Sequence, residues 1–142
     1  MKIPRQLARD ERGAVAIEMS FALPVLIVFL WAFVQLAQVY SAMAGIQQAL
    51  GQGARYATLC LNPTPVVSCT APTPAKIKKE ITASVYGTGA GTFTIADPVS
   101  GIDGTSRYLD LKVQYSQPTS LLLAPGPTIN ISRSKRVWIA AS

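Results

Sequence analysis

Between Ala14 and Val34 the chain has one ionisable side chain, Glu18, in a run otherwise made almost wholly of apolar residues. At 1.5 Å per residue this run would measure roughly 31 Å as a helix, about the thickness of a hydrocarbon core. A segment of that length and polarity has to be covered by lipid or by neighbours in an assembly. The flank before it carries Lys2, Arg5, Arg9 and Arg12 against Asp10 and Glu11, and an excess of Lys and Arg favours keeping that side cytoplasmic. Everything after the span then faces outward. A carboxylate in the span costs on the order of 2.5 to 3.5 kcal/mol at mid-bilayer and less towards the ends. Glu18 therefore either lies just inside the headgroup layer or pairs with a positive group.

The helical pattern continues beyond the apolar run. Val39, Met43, Ile46 and Leu50 follow helical spacing, with Gln35, Gln38, Gln48, Gln52 and Arg55 at polar positions. One helix from Ala14 to Leu59 is expected, roughly 69 Å long. Pro24 should kink it or open it locally. Small residues recur at every fourth position: Ala37, Ser41, Gly45, Ala49, Gly53 and Ala57. Such a row lets helix backbones approach closely at a crossing angle. An alanine-rich helix with chance glycines is the alternative, although each glycine costs up to about 1 kcal/mol of helix propensity.

After a Pro-rich loop, Ile77, Ile81 and Val85 predict a short amphipathic helix with its lysines outward. Gly87, Gly89 and Gly91 read as a flexible turn. Phe93 and Ile95 alternate with threonines, and Leu109, Leu111, Val113 and Tyr115 alternate with Asp110, Lys112 and Gln114, the strongest strand signal in the chain. Ile129 and Ile131 open a last strand reaching Trp138 and Ile139. A loop is expected over 116–127, where Leu121, Leu122 and Leu123 form an apolar patch that either packs under the sheet or is a contact surface. The fold class is α+β: a long N-terminal pilin-like transmembrane helix packed on a small antiparallel sheet, with one short helix. About three strands cannot bury a core alone, so the sheet should rest on the second half of the long helix. The organisation is residues 1–13 as a cytoplasmic leader, 14–59 as the long helix with 14–34 in the membrane, and 60–142 as a small exported domain.

Cys60 and Cys69 enclose a turn-rich loop on the exported side, where a disulfide is the expectation and two free thiols the alternative. Closing that loop would contribute roughly 2.5 to 3 kcal/mol in the chain-entropy model. The chain has no His and no second cysteine pair, so a metal site, a cofactor or a His-assisted nucleophile finds no ligand set or base. No two of Glu80, Asp97, Asp103 and Asp110 are placed together by the sequence, and the segment from Gly87 to Gly91 lacks the ending of a phosphate loop. The chain reads as no enzyme. Its net charge of +6 comes from a basic leader and scattered lysines and arginines, without aromatic interleaving, so nucleic acid is not among the expected partners.

The motif Arg12-Gly13-Ala14-Val15-Ala16-Ile17-Glu18 resembles the processing site of type IV pilin-like precursors, which a membrane prepilin peptidase cuts after the glycine. The continuation Phe21-Ala22-Leu23-Pro24-Val25-Leu26, the later Gly53-Ala54-Arg55-Tyr56-Ala57 and the late strand-loop-strand resemble the TadE family of minor pilins, or pseudopilins, of tight-adherence (Flp) pilus systems. The resemblance implies cleavage between Gly13 and Ala14. It makes Glu18 the matching glutamate at the fifth mature position, with an assembly role. It implies as partners the prepilin peptidase, the major Flp pilin, other TadE- or TadF-like minor pilins, the inner-membrane assembly platform and membrane lipid. It implies a single pass through a bacterial inner membrane, the C-terminal domain periplasmic, with entry into an extracellular pilus as a later stage. Met19 departs from the pattern, standing where an aromatic residue often follows the glutamate.

Two other readings belong to different classes. One is a single-pass anchor for a periplasmic binding domain that never joins a pilus. The other is ordinary secretion, with Phe21 to Val34 as the apolar core of a signal peptide and cleavage after Ala42-Met43-Ala44.

Overall fold

The computed structural model describes residues 12–59, 72–120, 122 and 124–139. The expected leader as far as residue 11, the expected disulfide of Cys60 and Cys69, and Leu121 and Leu123 of the expected apolar patch lie outside them. Helix α1 runs from Arg12 to Thr58, starting two residues before the expected Ala14. It passes through Pro24 without interruption. The ring removes one helical donor and leaves the Ser20 carbonyl without its usual partner.

Helix α2, Pro74–Ser84, begins on Thr73, whose carbonyl accepts the Ile77 N–H at 3.1 Å, with Pro74 in the first turn where no N–H is needed. It ends at Ser84, one residue short of the last position of the expected pattern, Val85, whose N–H reaches the Ile81 carbonyl at 3.0 Å. The spacing of Ile77 and Ile81 buries both against α1 and the sheet. Lys78 on the outer side pairs with Asp97 at 2.8 Å.

The sheet has four strands, one more than the sequence suggests: β1 Thr92–Ile95, β2 Val99–Asp103, β3 Ser106–Ser120 and β4 Pro125–Ile139. All pairings are antiparallel and β3 is the hub, with β1 and β2 end to end along one side and β4 along the other. Gly104, at φ 61°, makes the tight turn from β2 to β3, a left-handed position that costs glycine little.

The expected loop over 116–127 is largely strand. Ser116 to Ser120 extend β3 and Pro125 begins β4, with a register irregularity between Pro118 and Ser120. Three prolines are tolerated in these strands because Pro118 lies at that irregularity and Pro125 and Pro127 lie on an edge strand.

Alternation along β3 sends Leu109, Leu111, Val113, Tyr115 and Gln117 inward, where all are buried. They meet Ala42, Ile46, Ala49, Leu50, Ala54 and Ala57 of α1, with Ile77, Ile81 and Val137 closing the core. Each large aliphatic side chain buried in this way stabilises the fold by about 1.5 to 3 kcal/mol. The segment from Gly87 to Gly91 is no free turn, because it passes close against Phe93 and Tyr115. A Cβ on Gly91 would stand 2.4 Å from the Tyr115 ring.

Candidate functional site

α1 divides into two unequal environments. Above Gln38 one face is buried under α2 and the sheet, whereas from Gly13 to Val34 every residue is exposed. This stem has an 18-residue window of mean hydropathy 2.2, none of it buried, and is long and apolar enough to cross a membrane. Phe21 is 74% exposed, and Phe29 and Phe33, one turn apart, meet edge to face at 4.7 Å between ring centres. So much uncovered apolar surface marks a contact with lipid or with other chains.

Glu18 is exposed on the first third of the stem and borders an open hollow formed with Phe21, Ala22, Val25 and Phe29 of its own helix. Gly13 lies five residues earlier, and a Cβ there would meet nothing within 4 Å. No contact within the described residues requires a glycine at that position.

The row of small residues changes character along the helix. Ala37 is exposed and Ser41 half-buried, while Gly45, Ala49, Gly53 and Ala57 are buried. Gly45 lies under the Tyr86 backbone, where a Cβ would come within 1.8 Å of the Tyr86 carbonyl oxygen. Gly53 lies under Ile81, whose Cγ1 would be 2.4 Å away. The upper part of the row is thus occupied within the chain by α2 and the segment that follows it.

Polar contacts bind the sheet to the helix where stem and core meet. Gln38 Oε1 accepts from Gln117 Nε2 at 2.9 Å, and Gln117 Oε1 accepts from the Tyr115 hydroxyl at 2.9 Å. Gln117 is the one buried polar side chain among the described residues, and this chain of bonds satisfies it. Lower down, Trp31 and Gln35 both bond the backbone of Ser120. The helical pattern marks Gln35 and Gln38 only as polar positions. Gln117, in phase with Tyr115 and two residues beyond it, was the available signal for a buried polar partner.

At the opposite end of the sheet, Arg136 on β4 holds Asp110 on β3 with two bonds, Nε to Oδ1 at 2.8 Å and Nη2 to Oδ2 at 2.9 Å. The same guanidinium lies 3.9 Å above the Tyr108 ring, and Tyr108 meets Trp138 edge-on at 5.7 Å. The hydrogen bonds from Arg136, with its charge adding to them, hold the Asp110 carboxyl below its ordinary value of 3.8. Both residues are engaged with each other. Among the described residues no three acidic, His or Cys side chains converge on a common point.

The exposed apolar stem, with Glu18 near its start and a sterically unconstrained Gly13 before it, is the feature that comparison with protein families addresses. Residues 13–55 match the family of TadE-like proteins. No curated protein and no solved structure matches the chain. The TadE-like stretch begins at Gly13, takes in the whole stem and most of the core-forming half of α1, and stops short of the sheet.

Proposed function

We propose that the protein is a minor pilin, or pseudopilin, of a Tad-type pilus system. It is cut by a prepilin peptidase between Gly13 and Ala14 and takes part in pilus assembly, and through it in adherence and biofilm formation. The observation that carries this reading is the stem: a wholly exposed apolar helix bearing a single carboxylate five residues after Gly13, inside a stretch that is TadE-like. The open space at Gly13 is compatible with it, since no contact among the described residues calls for a glycine there.

The stem also suggests how assembly works. Cleavage frees an α-amino group at Ala14, and Glu18 of one subunit pairs with that amine, or with the amine of a neighbouring pilin. Pairing offsets the cost of the buried charge. In the membrane the stem is covered by lipid, with the leader cytoplasmic and the sheet periplasmic. On assembly it exchanges lipid for the apolar helices of the major Flp pilin or other minor pilins, and the exposed Ala37 and half-buried Ser41 leave room for close approach.

The mass of the mature N-terminus tests this reading. A chain starting at Ala14 is expected; one starting at Gly45 means ordinary secretion, and one retaining Met1 means a permanent single-pass anchor. Gly13→Leu should accumulate as uncleaved precursor in the inner membrane, and normal maturation of that variant would overturn the cleavage assignment.

A further inference from the structure

Ser120, the last residue of β3, is fixed beside the outer end of the apolar stem. Trp31 Nε1 donates to the Ser120 carbonyl oxygen at 2.9 Å. Gln35 Nε2 donates to the same oxygen, and Gln35 Oε1 accepts the Ser120 N–H at 3.0 Å. These bonds set the height of the β3–β4 hairpin tip along the helix. From Ala14 to Trp31 the helix climbs roughly 26 Å, so Ser120, held from Trp31 and from Gln35 one turn above it, meets the helix close to the level of Val34. If the hydrocarbon layer begins at Glu18 instead, a thickness of roughly 30 Å reaches Gln38 and the tip lies deeper. In both registrations the tip is at or below the outer boundary of the apolar layer.

Its chemistry suits that depth. From Val113 to Ser132 the chain has no Asp, Glu, Lys or Arg, and α1 has none from Met19 to Ala54. The charged residues of β3 and β4, among them Asp110, Lys112, Arg133 and Arg136, all lie towards the other end of the hairpin. Leu122, at the tip, is 48% exposed. Several backbone polar groups beside the tip, which lipid would leave unsolvated, have partners or are absent. Gln35 meets both those of Ser120, Pro125 and Pro127 have no N–H, and Thr119 Oγ1 donates to the Pro127 carbonyl at 2.6 Å.

We infer that the β3–β4 hairpin tip, through Leu122, is a second membrane contact, lying in the headgroup–acyl boundary of the outer leaflet while the stem spans the bilayer. This rests on the proposal that the stem is in the membrane. Trp31, 40% exposed beside the tip, becomes an interfacial anchor, the level at which tryptophan is favoured. The sheet is then held to the bilayer at two points, with its charged end pointing away.

The full chain in nanodiscs of phosphatidylethanolamine and phosphatidylglycerol tests this, with the photo-crosslinking residue benzoylphenylalanine placed singly at Leu122, at Leu26 in the stem or at Thr105 in the turn at the far end of the sheet. Lipid adducts are expected at 26 and 122, with yields at 105 lower by about tenfold. Adducts at 26 with a yield at 122 as low as that at 105 overturn the hairpin contact and leave the membrane-spanning stem standing. No adduct at 26 removes the spanning stem, and the hairpin contact with it. A measurement that leaves the tip unaltered uses Trp138→Phe, so that Trp31 is the remaining tryptophan. Quenching of its fluorescence by lipids brominated near the headgroup supports the assigned depth, and full accessibility to aqueous iodide overturns it.

Discussion

Gln35 takes up both backbone groups of Ser120, accepting its N–H and donating to its carbonyl oxygen, and so completes with a helix side chain the hydrogen bonding at the end of β3. With Trp31, which donates to the same carbonyl oxygen, it ties the outer end of the apolar stem to the sheet. Gln35→Ala should make local opening at the end of β3 easier by about 1 kcal/mol. Faster amide exchange at Ser120, with no change at Leu111, is the expected signature. Unchanged protection at Ser120 would show that the bond contributes nothing in solution.

The three glycines in the upper half of α1 should respond to alanine in a fixed order. Gly45→Ala drives a methyl group into the Tyr86 backbone and should cost about 3 kcal/mol. Gly53→Ala meets the end of the Ile81 side chain, which is itself buried, and should cost about 1 to 2 kcal/mol. Gly51→Ala enters open space and should gain about 0.5 to 1 kcal/mol from helix propensity. Thermal unfolding followed by circular dichroism in detergent ranks the three, and a different order would refute the packing described for α2.

The Asp110–Arg136 pair fixes the direction of an acid effect. Because the Asp110 carboxyl is held below 3.8 in the folded state, its contribution is present above that value and is lost as pH falls through the lower folded value. Both side chains are open to solvent, so the effect should be small and weaken with salt. A carboxyl-detected NMR titration should give Asp110 a midpoint below the ordinary one, and Arg136→Gln should return it to the ordinary range. An Asp110 midpoint indifferent to Arg136 would contradict the assignment.

Glu18→Val should insert into the membrane as well as the wild type, because it removes a charge from an apolar helix. The same change should lower recovery of the protein with sheared pili, or with its pilin partners, by at least about tenfold if the proposed ion pair carries assembly. Glu18→Asp should retain part of that recovery. Equal recovery of all three forms would rule out charge pairing as the role of Glu18.

Much of the architecture was legible because it follows strong periodicities. The stem announced itself by length and apolarity, and Leu109 to Tyr115 by strict alternation. β2 was not legible: Val99 and Ile102 stay exposed and Gly101 interrupts the run, so its pairing with β3 lacks a hydrophobic pattern. The continuation of β3 and β4 was hidden by Pro118, Pro125 and Pro127, whose effect depends on whether a strand is central, irregular or at an edge. The functional features divide the same way. Glu18 stands out wherever the helix is placed, whereas Gln35, Gln38 and Gln117 acquire meaning only once the sheet is laid on α1, since nothing local separates a glutamine facing water from one facing a partner.

The unbroken course of α1 from the stem into the core sets the direction in which the sheet looks. Each residue of an α-helix turns the chain by about 100°, so the angle around the axis between Glu18 and the face that carries the sheet is counted out by the residues between them. Removing one residue from that interval would swing the sheet by more than a quarter turn relative to Glu18, whereas removing seven would restore its bearing to within about 20°. The helix is therefore a keyed shaft: fixing the bearing of Glu18 fixes the bearing of the sheet.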